Sequence, residues 1–203
     1  MRKPLRADFG TPSVVVLAGP NGAGKSTTAP SLLRGALGVT EFVNADVIAR
    51  GLSGFEPEKA ALAAGRVMLA RLRELASRRA SFAFETTMAS RLLAQWLAGL
   101  IAKGYRFHLV FLWLPSADMA LARVAERVRM GGHGVPEETI RRRYDVGLRN
   151  FFRLYRPLAE SWRVYDNSKS PPRLIALGKG RTLTRVLDRS TWALISQGHS
   201  DES

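Results

Sequence analysis

The sequence predicts a single α/β domain over residues 1–203, in which a mainly parallel sheet of five to six strands has helices on both faces. Two observations lead to this prediction. Short apolar or β-branched segments alternate with longer segments whose apolar residues recur at helical spacing, which is typical of a parallel sheet covered by helices. Hydrophobic residues make up 46% of the chain, which is enough to bury a core around such a sheet.

Each element is predicted from its local pattern. The strands are predicted at 13–19, 41–46, 81–85, 106–114 and 162–168, and a hairpin or a single strand with a basic turn follows at 172–187. The helices are predicted at 24–34, 56–79, 91–103, 115–130 and 137–155, and residues 197–203 are expected to form a disordered tail. Because ligands of parallel α/β sheets bind at the carboxyl ends of the strands, polar residues at those ends are the candidates for a functional site.

The composition limits the kinds of site and partner. The chain has no cysteine, and His108, His133 and His199 lack metal-ligand spacing, so we expect no disulfide, zinc site or cysteine nucleophile. The longest apolar run, 109–114, is far shorter than the roughly 20 residues of a membrane span, so we expect a cytoplasmic protein with no membrane contact. The net charge of +14 is compatible with nucleic acid, with multiply anionic small molecules, or with a generally arginine-rich chain.

A glycine-rich loop follows the first predicted strand. The segment GPNGAGKS at 19–26 matches the pattern G-x-x-x-x-G-K-[ST] through Gly19, Gly24, Lys25 and Ser26. In this P-loop pattern the backbone N–H groups surround a polyphosphate, the lysine reaches its β- and γ-phosphates, and the serine hydroxyl ligates Mg²⁺. We therefore predict that ATP and Mg²⁺ bind here, with Ser26 as the metal ligand. The predicted nucleotide-binding residues are Pro20, Asn21, Gly22, Ala23, Gly24, Lys25, Ser26 and Thr27.

Two large classes of protein that share this loop are disfavoured by the rest of the chain. The N-K-x-D segment with which GTPases read guanine is absent. The segment GLSGFEP at 51–57 matches the L-S-G-G-Q sequence of transport ATPases only in part, and no apolar strand ends in Asp-Glu. The sequence therefore favours a kinase.

Polar residues end the second and third predicted strands. Asp46 is predicted to be a catalytic base that takes a proton from an acceptor hydroxyl, although an aspartate here could also cap the following helix. Glu85 is predicted to bind the acceptor or the Mg²⁺ shell, with an ordinary turn residue as the alternative. Thr86, Thr87 and Ser90 supply hydroxyls that either bind a polar substrate or cap the next helix, and we count Thr86 and Ser90 as substrate-binding candidates.

A glycine loop at 131–136 separates two arginine-bearing helices and suggests a helical lid over about 118–156. When closed over the nucleotide, such a lid would bring guanidinium groups to the transferred phosphoryl group and exclude water. Successive helical residues project about 100° apart, so one or two arginines are expected to act and the others to lie in solvent. Arg127 and Arg142 are the predicted catalytic pair among the six candidates, which are Arg123, Arg127, Arg129, Arg141, Arg142 and Arg143.

These segments together resemble the zeta toxin family of P-loop kinases. The resemblance covers roughly 14–168 and is carried by GPNGAGKST, FVNADVIARGL, FAFETTMASR, FLWLPS, RVAERVRMGGHGVPEETIRRRY and YDNS. It implies a P-loop kinase fold that transfers the ATP γ-phosphoryl group to a hydroxyl of a nucleotide sugar, typically UDP-N-acetylglucosamine. It also implies that Lys25 and Ser26 serve the phosphates and Mg²⁺, that Asp46 is the base, and that Glu85 and Thr86 bind the acceptor. Family members that act as toxins have an antitoxin partner, about which this one chain gives no information.

The leading prediction is an ATP-dependent kinase of a small anionic acceptor. Two alternatives stay open at this point. One is a nucleic-acid or nucleoside kinase, which the positive charge favours. The other is a nucleotide-switched ATPase or binding module that transfers no phosphoryl group.

Overall fold

A seven-stranded sheet forms the centre of the computed structural model, which describes residues 11–36, 39–57, 59–132 and 134–197. The strands lie in the order β2-β3-β1-β4-β5-β6-β7; the first five in this order are parallel, and β6 and β7 are antiparallel. The α/β fold class is therefore confirmed, but the sheet has seven strands rather than five to six because 172–187 forms a hairpin. The strands are β1 (Ser13–Ala18), β2 (Phe42–Val43), β3 (Phe82–Thr86), β4 (Arg106–Trp113), β5 (Ser161–Asp166), β6 (Arg173–Lys179) and β7 (Thr182–Val186).

Helices connect the parallel strands, and two of them change their hydrogen-bonding pattern along their length. The first continues as a π-helix over Pro30–Ala36, and the sixth continues as a π-helix over Phe151–Tyr155 and a 3₁₀ turn over Arg156–Leu158. The last helix was not predicted, and the Asp188 carboxylate caps it by accepting a hydrogen bond from the Thr191 N–H at 3.0 Å. The helices are α1 (Lys25–Ala29), α2 (Ala45–Leu52), α3 (Ala61–Ser77), α4 (Arg91–Ala102), α5 (Ala117–Arg129), α6 (Glu137–Asn150) and α7 (Arg189–Ser196).

Each face of the sheet buries its own apolar cluster. Alternate residues of β1 show the division, since Val14 and Val16 belong to one cluster and Val15 and Leu17 to the other. The first cluster is completed by α3, α4 and α7, and the second by α1 and α5. Because β1 is central and covered on both sides, all of its residues are buried, as expected for a parallel strand.

The chain leaves β1 and β4 toward opposite edges of the sheet. After β1 it runs through α1 to β2 at one edge, whereas after β4 it runs through α5 and α6 to β5 on the other side. The gap between β1 and β4 is therefore a topological switch point, and in open α/β sheets ligands bind at the carboxyl ends of the strands that flank such a gap. None of the described helices combines the length and the apolar composition of a membrane span.

Candidate active site

The loop between β1 and α1 lies at this switch point, and its glycines adopt conformations that other residues rarely reach. The φ angles of Gly22 and Gly24 are 74° and 76°. A Cβ atom on Gly19 would collide with the carbonyl oxygen of Leu112, and one on Gly24 would lie 2.6 Å from the Asn167 amide nitrogen. The close approach of neighbouring groups therefore requires the glycines that the sequence pattern contains.

The start of α1 suits an anion. Gly24 occupies the N-cap position, and no side chain caps the helix there. The first N–H groups of a helix have no partner within it, and together with the loop amides they form a positive concavity. The loop is anchored to the neighbouring strand, because the Gly19 N–H donates to the Thr86 carbonyl oxygen at 3.2 Å. The backbone of this loop thus fits the phosphate groups of a nucleotide.

Lys25 lies buried beneath the loop. Its Nζ donates to the carbonyl oxygens of Gly19 and Pro20, each at 2.9 Å. Burial lowers the pKa of Lys25; the carboxylates of Glu85 and Asp46 oppose this shift, while Arg127 and Arg143 add to it. These five side chains are therefore close enough to affect one another's ionisation, and they form a single site.

Ser26, Glu85 and Asn44 form a small polar network beside Lys25. The Ser26 hydroxyl donates to Glu85 Oε2 at 3.0 Å, and the Asn44 amide donates to the Ser26 hydroxyl at 3.3 Å. Burial raises the pKa of Glu85, and Lys25 and the Ser26 hydrogen bond partly oppose that shift. Hydroxyl and carboxylate oxygens suit Mg²⁺, which is usually bound through one or two such groups plus substrate phosphates. The described residues contain no cluster of three or more His, Asp or Glu side chains that would hold a metal without such phosphates.

Asp46 is not the cap of α2, although the sequence allowed that role. Asn44 is the N-cap, and its Oδ1 accepts from the Asp46 and Val47 N–H groups at 2.8 and 3.2 Å. The half-buried Asp46 carboxylate makes no hydrogen bond or ion pair with any residue that the structure describes. It is therefore available to a ligand, next to the charged groups already described.

The hydroxyls at and after the end of β3 form hydrogen bonds with nearby backbone groups. The sequence left this role open as the alternative to substrate binding. Thr86 Oγ1 accepts from the Met88 N–H at 3.0 Å, and Ser90 Oγ caps α4 through the Leu93 N–H at 3.3 Å. Met88 has a left-handed backbone, with φ 59°. The turn thus presents the backbone of Thr86 and Thr87 to the site in a defined conformation.

Helix α6 holds that turn in place. The buried Asn150 side chain donates to the Met88 carbonyl oxygen at 2.7 Å, and Gly147 lies so close to the Thr87 carbonyl oxygen that a Cβ would collide with it. Neither residue was predicted from the sequence, although a glycine inside a helical pattern is a known indication of close packing.

The side chains of two arginines lie near Lys25 and the carboxylates beside it. Arg127 is half-buried on α5 and acts on the pKa of both Lys25 and Glu85. Arg143 is half-buried on α6, where burial and its neighbour Arg142 lower its pKa and Asp46 opposes the shift. Arg142 itself is exposed. Of the predicted pair, Arg127 lies near Lys25. On α6 the arginine near Lys25 is Arg143 rather than the predicted Arg142.

The other lid arginines make different contacts. Arg141 forms ion pairs with Glu137 and Asp118 at 2.9 and 2.8 Å, and Arg129 pairs with Glu126. These three pairs lie in solvent and do not involve the loop. His133, which belongs to the glycine loop, lies outside the described residues.

The loop after β5 secures the phosphate-binding loop from the other side. The Asn167 amide donates to the Ala23 carbonyl oxygen at 2.7 Å, and Arg123 Nη2 donates to the Ser168 carbonyl oxygen at 2.7 Å. Asn167 was not a predicted site residue. It nevertheless directly follows the carboxyl end of a strand, where polar residues are candidates for a functional site.

The C-terminal end of the predicted lid is part of the core. Phe151, Phe152 and Tyr155 are almost completely buried, and Phe151 packs on Phe111 of β4 with ring centroids 4.9 Å apart. Residues 151–155 of the predicted lid are therefore unsuited to move as part of a lid.

The parallel sheet, the glycine loop and the charged strand ends define a P-loop kinase-like domain, a fold that implies nucleotide binding. A family model described as an AAA domain matches residues 14–152, and the chain belongs to this family. An uncharacterized protein of Haemophilus influenzae is 27% identical over 130 residues, which make up 64% of this chain and 91% of that protein.

Solved structures of low sequence identity share the fold. The AvrRxo1-ORF1:-ORF2 structure with ATP has a TM-score of 0.70 at 15% identity, covering 92% of this chain, which spans only 64% of that one. The PezAT chromosomal toxin-antitoxin system of Streptococcus pneumoniae has a TM-score of 0.61 at 14% identity, covering 95% of this chain and 80% of that one. A gluconokinase from Sinorhizobium meliloti has a TM-score of 0.51 at 16% identity, covering 93% and 94% of the two chains. At these identities the likeness establishes the fold alone.

Proposed function

We propose that this protein is a kinase that transfers the γ-phosphoryl group of ATP to a hydroxyl of a small anionic acceptor, with a nucleotide sugar such as UDP-N-acetylglucosamine as the substrate class. The observation that carries the proposal is the arrangement around Asp46. A carboxylate without a partner among the described residues lies beside a buried lysine, a second carboxylate and two arginines, at the edge where α/β domains bind their ligands.

The donor half of the reaction is assigned to the glycine loop. Its amides and the start of α1 hold the phosphate groups, and Lys25 neutralises their charge. Ser26 and Glu85 are the residues that would hold Mg²⁺, which when bound spreads the charge of the β- and γ-phosphates. Asn44 orients the Ser26 hydroxyl and at the same time fixes the backbone of Asp46.

The acceptor half is assigned to Asp46 and the arginines. Asp46 accepts the proton of the acceptor hydroxyl as that oxygen attacks the phosphoryl group. Arg127 and Arg143 stabilise the negative charge of the transferred group, a role for which guanidinium groups are well suited. Glu85 and the turn at 86–90 contact the acceptor, and α6 covers the site and reduces the access of water that would otherwise be phosphorylated.

The choice of a nucleotide sugar rests on resemblance. The zeta toxin sequence segments and the shared fold with PezAT support it, and the shared fold with a structure that contains ATP supports the donor. The surplus of arginines and lysines over acids supports an acceptor that is itself anionic.

Transfer of label from γ-labelled ATP tests the proposal directly. Purified protein is incubated with UDP-N-acetylglucosamine, with nucleosides and with short oligonucleotides, and the products are separated. We expect label on the nucleotide sugar, loss of this label in Lys25→Ala, and no change in Lys179→Ala, which removes the same charge from an exposed strand end. Slow ATP hydrolysis with no labelled acceptor would contradict a kinase and favour a nucleotide-switched module.

The net charge of +14 favours a second candidate, a kinase that acts on nucleic-acid ends. Binding that depends on phosphate contacts weakens steeply as salt increases. Label on the oligonucleotide, together with a steep salt dependence of its binding, would support this candidate. Absence of oligonucleotide binding at moderate salt would remove it.

A further inference from the structure

A second concave site lies between the ends of α3 and α4. Both helices end just before the strands that follow them, so the cavity faces the amino edge of the sheet, opposite the glycine loop. Its volume is about 640 Å³, within the range of sites that bind small molecules. The side chains that matter for its chemistry are Arg73, Arg79, Lys103, Trp96 and Tyr105.

The cavity carries a net positive charge that the described residues do not neutralise. Three of its lining residues are cationic and none is acidic. Within the described residues, the side chains of Arg73 and Lys103 make no hydrogen bond or ion pair. The helix ends contribute only about half a negative charge each, less in total than the three cations.

The acidic residue nearest in sequence is engaged elsewhere. Glu74 pairs with Arg71 at 2.8 Å and with Arg78 at 3.4 Å, and neither of these arginines lines the cavity. Glu74 therefore does not compensate the charge of Arg73, although the two residues are adjacent.

Arg79 is held in an unusual position. It follows the C-cap of α3 with a φ of 53°, in a left-handed conformation where glycine is the common residue. Its guanidinium donates to the Lys103 carbonyl oxygen at 2.9 Å and lies 5.9 Å from the centre of the Tyr105 ring. These contacts join the two helix ends and fix the guanidinium in the cavity wall.

Trp96 supplies a flat surface. Its ring packs toward the core against Phe82 and Phe84, at centroid distances of 6.2 and 6.3 Å, yet the side chain is half-exposed in the cavity. Its indole N–H has no hydrogen-bond partner in the described part of the chain. A tryptophan in this situation offers both a stacking face and a donor to a ligand.

We infer that this cavity is a binding site for a planar aromatic anion of nucleotide size. Arg73, Arg79 and Lys103 bind its phosphate, and its ring lies against Trp96. The site is separate from the glycine loop, since the two lie at opposite edges of the sheet. Binding of an anion here gives a role to basic residues that lie outside the active site.

AMP is the probe that tests this site, and the Lys25→Ala variant is the background, because this change is expected to weaken nucleotide binding at the glycine loop. Calorimetry and tryptophan fluorescence are expected to show one AMP bound per chain. Ribose 5-phosphate, which has the phosphate but no base, and adenosine, which has the base but no phosphate, are each expected to bind at least about tenfold more weakly.

Arg73→Glu is expected to weaken AMP binding by about tenfold or more. Arg66→Glu makes the same charge change at an exposed position of the same helix and is expected to change it less than about twofold. Trp96→Phe, which keeps a ring for the core, is expected to weaken AMP but not ribose 5-phosphate, and thermal melts verify that each variant folds. No AMP binding in the Lys25→Ala background, or equal losses in Arg73→Glu and Arg66→Glu, would overturn the inference. Equal affinity for AMP and ribose 5-phosphate would refute the contact with the ring.

Discussion

Replacing Gly24 with alanine is expected to disrupt the phosphate-binding loop for two separate reasons. Gly24 has a φ of 76°, and a residue with a Cβ pays roughly 1–2 kcal/mol to adopt that conformation. The new methyl group would also lie 2.6 Å from the Asn167 amide, which must then move away from the Ala23 carbonyl oxygen that it contacts at 2.7 Å. The loss of that hydrogen bond adds about 1 kcal/mol.

The two effects together predict a loss of roughly 2–3 kcal/mol in the free energy of unfolding. In a domain of this size each kcal/mol lowers Tm by roughly 2–4 °C, so we expect a decrease of about 4–12 °C. The distorted loop is also expected to lose the thermal stabilisation that ATP with Mg²⁺ gives to the native protein.

Thermal unfolding of a double-mutant cycle separates the two reasons. An Asn167→Ala background lacks the amide that the new methyl group would contact. In that background Gly24→Ala is therefore expected to cost only the backbone strain of about 1–2 kcal/mol. Gly99→Ala is the control, because Gly99 lies inside α4 with nothing within 4 Å of its Cβ position, and this change is expected to leave Tm unchanged or raise it. An unchanged Tm and unchanged ATP stabilisation in Gly24→Ala would refute the reasoning about the loop.

Three further variants test other parts of the site. Burial raises the pKa of Glu85, so the free energy of unfolding decreases as pH rises from about 4.3, the pKa in the unfolded chain, through the raised pKa of the folded protein. Glu85→Gln removes this ionisation and should therefore raise Tm at neutral pH, with a gain that disappears in acid. A gain in Tm that is independent of pH would contradict this. Asn44→Ala removes the cap of α2 and should cost about 1 kcal/mol, measured by denaturant unfolding; no loss would show that the cap is unimportant. Gly147→Ala places a methyl group against the Thr87 carbonyl oxygen and should raise the acceptor KM while ATP binding stays unchanged; equal effects on both ligands would contradict a local role.

The conformation of the glycine loop was predictable because its residues are consecutive. The glycines and Lys25 adopt local conformations that follow from residue type, and the short pattern therefore specifies the loop. The proximity of Asp46 and Glu85 was predictable for another reason. The carboxyl ends of parallel strands meet at one edge of a sheet, so Asp46, in the first turn of the helix that follows β2, and Glu85, near the end of β3, come together although they are far apart in sequence.

The arginine on α6 could not be chosen from the sequence. Arg142 and Arg143 are adjacent and project about 100° apart, so the rotation of the helix about its axis decides which one faces Lys25. That rotation is set by distant packing, with Ile140 buried in one cluster and Gly147 against the turn after β3. Neither contact has a local sequence pattern.

Asn150 and Asn167 were missed because their partners are remote. Asn150 contacts a residue 62 positions away, and Asn167 one 144 positions away. The second strand of the C-terminal hairpin was uncertain because β7 is an edge strand with exposed residues, which carries little apolar alternation.

The role of Asp46 as the base is the central claim, and a single-turnover measurement with Asp46→Asn tests it most directly. Transfer of label from γ-labelled ATP to UDP-N-acetylglucosamine is followed in the native protein, in Asp46→Asn and in Asp145→Asn, whose carboxylate is exposed on α6. We predict that Asp46→Asn binds ATP normally and transfers label about 10²-fold more slowly or worse, while Asp145→Asn resembles the native protein. Transfer by Asp46→Asn at the native rate would contradict the account.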